Sequence, residues 1–242
     1  MKNMIPSKYP PETPSVIAMN LKNDLGEIVA RNGVLTGSGV PEMVKRELRS
    51  RKNTLKISAE NENLGFSFFD SGNDTCAVVF ENTNDDPEMI IESNAITLHA
   101  FKYLGIGRII ILDTVNLFEK SGDPFFRIDD HINLTSINPL EFWMMPEEPD
   151  PFFLDVKNMY SRDGLECLPG IIHAATSEGV ENKMLDQARL SGADSFGNTF
   201  LPEAILARYL GMKISCIAIN SNCIISLDTS HCALLLKLIK SL

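Results

Sequence analysis

A chain of 242 residues, 44% of them apolar, is long enough to bury one full α/β core and does not suggest two small domains. Its 22 Lys and Arg against 32 Asp and Glu leave a formal charge of −10, which argues against a nucleic-acid-binding face. The opening MKNMIPSKYPPETPS lacks the apolar run of a signal peptide or membrane span, so the expectation is a soluble, cytoplasmic protein with a poorly ordered segment over residues 1–25. Cys76, Cys167, Cys216, Cys223 and Cys232 are odd in number, lack C-x-x-C spacing and mostly lie in apolar runs, which points to reduced, buried thiols rather than ligands or a nucleophile.

In chain order, a moderately apolar stretch over 26–34 leads into Gly37-Ser38-Gly39 and then an amphipathic, helix-like run to Arg49. Glycine and serine at a strand-to-helix junction can offer N–H groups and a hydroxyl to a phosphate, and the same residues also make ordinary turns. Residues 64–69 and 76–80 flank Asp70-Ser71-Gly72-Asn73-Asp74, the pattern of a β-hairpin. The acidic run Glu81-Asn82-Thr83-Asn84-Asp85-Asp86-Pro87 reads as a solvated loop, followed by a helix over 88–104 and a buried-type strand over 108–112. Asp113-Thr114-Val115-Asn116 is expected to be the loop behind that strand.

His131 reads as a satisfied structural histidine rather than a general base, because no nucleophile lies near it in sequence. The stretch 142–153, with Trp143, Met144 and Met145, is an irregular loop that serves either as an oligomer contact or as core cover. Residues 170–175 form a further strand, and Gly192 and Gly211 each close a helix. Between those glycines a short strand over 193–197 ends in Asn198-Thr199, just before Pro202-Glu203, where proline suits a helix's first turn. The nearly all-apolar strand 213–219 empties into Asn220-Ser221-Asn222. Polar side chains thus collect at the C-terminal ends of strands, where open α/β sheets bind ligands, and Asn198, Thr199 and Glu203 form the first candidate site.

Two ordered blocks carry a resemblance. Gly192-Ala193-Asp194, Gly197-Asn198-Thr199, Pro202-Glu203, Ala207, Gly211 and Ser221-Asn222 form one. Asp130-His131-Ile132-Asn133-Leu134-Thr135, followed by Asn138-Pro139-Leu140, forms the other. Both resemble the trimeric purine nucleoside phosphorylase and methylthioadenosine phosphorylase family. The resemblance implies a single α/β domain over 26–242, with a mixed central β-sheet flanked by helices, assembled as a homotrimer. It further implies phosphate-dependent cleavage of purine nucleosides to free base and pentose 1-phosphate, with inorganic phosphate as co-substrate and neither cofactor nor metal. By position, Ser38 and Thr199 would contact phosphate, and Asn198 stands where the family usually has a methionine under the ribose. Asn222 matches the family's base-contacting asparagine, Glu181 (or Glu178) its purine-binding glutamate, and His231 its sugar-end histidine.

The departures from that family concern the anion. Its G-R-x-H-x-Y-E-G segment falls at 81–87, which holds neither Arg nor His. A carboxylate about 4 Å from a phosphate charge costs on the order of 4 kcal/mol at an effective dielectric near 20. The family's N-A-A-G-G loop is replaced by Asp113-Thr114-Val115-Asn116, and Gly179 falls where a base-stacking aromatic is expected. The readings left open are a weakened phosphorylase, a catalytically silent nucleoside-binding or assembly subunit, and a nucleosidase that uses water.

Overall fold

The computed structural model describes residues 13–26, 29–37, 39–49, 55–59, 62–72, 75–81, 87–135, 140, 154–177, 179–198 and 200–242. Nine strands form one mixed sheet in the order β2-β3-β4-β1-β5-β8-β7-β6-β9, and β9 also pairs with β5. They are β1 (Val29–Thr36), β2 (Leu55–Ala59), β3 (Glu62–Gly72), β4 (Thr75–Glu81), β5 (Arg108–Leu117), β6 (Phe125–Asn133), β7 (Gly170–Ala175), β8 (Ser195–Gly197) and β9 (Lys213–Asn220). The extra pairing closes β5, β8, β7, β6 and β9 into a ring, with β2, β3, β4 and β1 extending from β5 as an open wing.

The helices are α1 (Thr13–Leu25), α2 (Glu42–Leu48), α3 (Pro87–Tyr103), α4 (Asn182–Leu190), α5 (Leu201–Tyr209) and α6 (Thr229–Ser241). They cover both sides of the sheet, the arrangement expected from the sequence. On one face Ile17 and Leu21 of α1, Leu98 and Phe101 of α3, and Ala204 and Ala207 of α5 pack against Ile109, Ile111 and Val115 of β5. On the other, Val44 and Leu48 of α2 and Leu235 and Ile239 of α6 pack against Ile110 and Leu112. Alternate residues of one strand therefore serve two cores, which is why β5 reads as a continuous apolar run.

β3 and β4 pair antiparallel, as the hairpin pattern requires. Gly192 and Gly211 have φ of +95° and +72° just after α4 and α5, the left-handed conformation that lets a helix stop where a branched residue would be strained.

Two expectations are corrected. Residues 13–25, assigned to a poorly ordered start, form α1, because Ile17, Leu21 and Leu25 recur every four residues and bury one side of the helix. The expected loop 113–116 is strand: β5 continues to Leu117, held by parallel pairing with β9 as far as Val115↔Asn220 and antiparallel pairing with β8 at Asn116↔Phe196 and Leu117↔Ser195. Val115 consequently points into the core at 1% exposure instead of toward a ligand. The acidic residues 82–86 and the loop 142–153 lie outside the described residues.

Among the described residues, Cys216, Cys223 and Cys232 are buried free thiols, as expected, and Cys167 is exposed. No helix among them is long and apolar enough to cross a membrane, and no group of three His, Cys, Asp or Glu side chains is placed to hold a metal ion.

Candidate functional site

Four parallel strands, β4, β1, β5 and β9, deliver their C-terminal ends to one rim. β1 ends at Thr36, and the Gly37 N–H donates to the Leu112 carbonyl at 3.0 Å, laying the chain beside Asp113. The contact is close. A Cβ built on Gly37 would overlap the Asp113 carboxylate, and one on Gly39 would overlap Thr114 Oγ1 and stand 3.1 Å from Asp113 Oδ1. Only residues without side chains let backbone approach a carboxylate this tightly. The N–H groups of Thr114 (2.8 Å) and Gly39 donate to that carboxylate.

Asp113 shares the inward face of β5 with Ile109, Ile111 and Val115 and so points toward α5. Glu203, in the first turn of α5, is near enough for its charge to act on that carboxyl. Burial is the main influence on Asp113 and lifts its carboxyl to about 7; Glu203 adds to the rise, while the Thr114 N–H, Lys45 and the Gly39 N–H oppose it. Burial also raises Glu203, against its own backbone N–H and the Asn94 amide, which donates to Oε1 at 2.6 Å. Among the described residues, the buried Glu203 Oε2 has no hydrogen-bond partner. Two such carboxyls favour a state in which at least one holds a proton, the kind of strain that collects at functional sites. Asp113 is the residue that sequence reasoning missed, because a carboxylate at the end of Arg108-Ile109-Ile110-Ile111-Leu112 looks like the start of a solvated loop.

The other expected site residues are distributed around this cluster. Asn198 is exposed just past β8; continuing the register of β8 on β5, it falls opposite Thr114. Phe200 follows at φ +70°, a strained value for a side-chain-bearing residue, held by burial at 2% exposure and by edge-to-face contact with His173 at 5.5 Å. Glu203 accepts a hydrogen bond from Asn94 of α3 instead of standing in an exposed polar patch. Ser38, Thr199 and Glu178 lie outside the described residues.

On the β9 side, Asn220 is consumed by the fold. Its amide donates to the Ser121 and Asp123 carbonyls at 3.1 Å, and its Oδ1 caps the 3₁₀ turn Ser221–Ser226 by accepting from the Asn222 N–H. The Asn222 side chain is exposed at the head of that turn, and Ser221 Oγ donates to Asn116 Oδ1 at 2.9 Å. His231 reaches the same end of the sheet: its ring meets Phe125, which pairs with Ile219 at the end of β9. Its Nδ1 accepts from the Asp228 N–H, completing the capping box that starts α6. Glu181 is exposed at the N-terminus of α4.

Arg49, also unforeseen, sends two N–H groups at 2.6 Å to Glu81 at the end of β4 and a third to Glu42. The carboxylate expected to repel an anion there is neutralised within the chain. The Asp130-His131 block is architectural: it lies in β6, where His131 Nδ1 stands 3.3 Å from Tyr160 Oη and burial lowers the ring's basicity.

No protein-family model matches the chain. Purine nucleoside phosphorylase 1 of Bacillus subtilis is 28% identical over 162 residues, 58% of this chain, and the chain spans 58% of that relative's length. Among solved structures, Schistosoma mansoni purine nucleoside phosphorylase in complex with inosine superposes with a TM-score of 0.71 at 16% identity, covering 96% of both chains. The same organism's enzyme in complex with adenosine gives 0.70 at 17% identity, covering 95% of both chains. A purine nucleoside phosphorylase in complex with ribose-1-phosphate gives 0.68 at 18%, again with 95% of both chains covered. The chain therefore shares the fold of these purine nucleoside phosphorylases and is similar in sequence to one of them over 162 residues.

Proposed function

We propose that the protein is a purine nucleoside phosphorylase whose use of phosphate is weakened: it cleaves the N-glycosidic bond of purine nucleosides, with inorganic phosphate as acceptor, to free base and pentose 1-phosphate. The supporting observation is the convergence of Gly37 and Gly39, the end of β5 and the β8–α5 junction on one rim, in a fold shared with enzymes solved with inosine and with ribose-1-phosphate. In this reading the leaving purine gathers negative charge while the sugar becomes oxocarbenium-like, so the site must donate hydrogen bonds to the base and hold an anion under the sugar. Asn222, with its exposed amide, donates to the departing base; Glu181 holds the purine edge from the head of α4. Asn198 and His231 border the sugar, and Ser38 and Thr199 contact the phosphate. The reading extends to a soluble, cytoplasmic homotrimer.

A second reading, a nucleoside-binding subunit without turnover, is favoured by one observation: the Asp113 carboxylate lies against Gly37 and Gly39, where this reading would seat the phosphate. Incubation with inosine, guanosine and methylthioadenosine, with and without phosphate, separates the two. Phosphate-dependent release of base at a low rate is expected. Binding of nucleoside, seen by calorimetry, with no release in either buffer would establish the second reading.

A further inference from the structure

The chain after β1 treats a compact negative charge as backbone treats a bound anion: Gly39 presents an N–H, and neither Gly37 nor Gly39 brings a side chain. Here the charge belongs to the chain. Asp113 Oδ1 accepts from the Thr114 N–H at 2.8 Å, the carboxylate also accepts from the Gly39 N–H, and its oxygens fill the space in which any Cβ on Gly37 would stand. We propose that Asp113 is an internal anion, which occupies the backbone cradle of Gly37 and Gly39 and excludes an external oxyanion such as inorganic phosphate until the carboxylate loses its charge or is removed. The inference rests on the reading of this rim as an anion site and goes beyond it, by naming the residue that governs which anion fills it.

Among the described residues, the charges that act on Asp113 are those of Glu203 on α5 and Lys45 on α2. Glu203 opposes a second negative charge nearby, and its buried Oε2 has no hydrogen-bond partner among the described residues. Protonation of Asp113 makes its carboxyl a donor and frees the N–H groups, so a site closed at high pH opens at low pH. The same residue explains how the rim tolerates the loss of external cations: the anion they would have bound is already there.

Sulfate is the probe, because its charge does not change over the range that matters. Calorimetric titration of the full chain at about pH 5.5 and about pH 8.5 brackets the Asp113 midpoint of about 7. The wild type is expected to bind sulfate at least about tenfold more tightly at the lower pH, since the competent fraction multiplies the apparent affinity. Asp113→Ala is expected to bind at both values with the tighter affinity. Asp113→Asn, which keeps the volume and removes the charge, is expected to lose the pH dependence even where Asp113→Ala does not fold, as judged by circular dichroism. A wild type whose affinity does not move with pH, or a folded Asp113→Ala or Asp113→Asn protein that keeps the wild-type pH dependence, would overturn the proposal. The readout needs no nucleoside: sulfate binding with this pattern and no base release leaves the inference standing and removes the phosphorylase reading. Phosphate-dependent release with sulfate affinity unchanged in the variants does the reverse.

Discussion

The two faces of β5 end differently. On the face toward α5, Asp113 and Glu203 are held against burial with too few donors, and both carboxyls are pushed upward. On the face toward α6, the polar groups are spent on the fold: Asn116 pairs with Ser221, Asn220 caps a turn, and Asp228 and His231 cap α6. Polar residues at a strand end therefore do not amount to a site by themselves. The side whose polar groups oppose stability is the side where a ligand has something to relieve.

Four experiments break or sharpen that contrast. The largest effects come from the cores beneath each face: Leu98→Ala in α3 and Leu235→Ala in α6, both fully buried, are each expected to cost about 2–5 kcal/mol in urea unfolding. Equal losses would show that the faces differ in polar chemistry and not in packing. Next is Asp113→Asn, expected to stabilise the protein by on the order of a few kcal/mol near pH 8. The folded carboxyl has the raised midpoint, about 7 against an ordinary 3.8, so the native state holds its proton more tightly than the unfolded chain does. Stability is then full below about pH 4 and lost as pH rises through about 7, and the advantage of Asp113→Asn should vanish near pH 4. A smaller effect, about 1 kcal/mol, is expected for Arg49→Ala, which leaves Glu81 without its double hydrogen bond.

The smallest is His231→Ala, about 0.5–1 kcal/mol from a weakened capping box. Its partner Asp228 has the opposite linkage to Asp113. Hydrogen bonds from Ser230 and His231 hold its carboxyl at about 2, so its contribution is present above the ordinary 3.8 and disappears as pH falls through about 2. Thermal melts of both faces' variants from acid to neutral pH display the two signs side by side.

Much of the fold was legible because it depends on period and punctuation. The β3–β4 hairpin, the apolar run of β9 and the glycines that stop α4 and α5 are local signals, and each element formed where its signal stood. β5 was read short because Asp113-Thr114 has the chemistry of a loop, whereas pairing with β9 and β8 carries the strand to Leu117. α1 was missed because its apolar spacing follows a proline-rich, polar start. The site was less legible. Glu203 could be placed at a helix start after a strand, but its partner came from α3, 109 residues earlier, and the Arg49–Glu81 pair joins residues 32 apart. That Gly37 and Gly39 close on Asp113 follows from β1 lying beside β5, which no local pattern states.

The most direct test of this account follows base release from inosine by the wild type and Asp113→Ala in parallel, over a series of phosphate concentrations near neutral pH. The account predicts slow release by the wild type that responds only weakly to phosphate, and a steeper phosphate response once Asp113 is removed. A wild type that saturates with phosphate as an unhindered phosphorylase does, with a folded Asp113→Ala protein showing a weaker phosphate response, would contradict it.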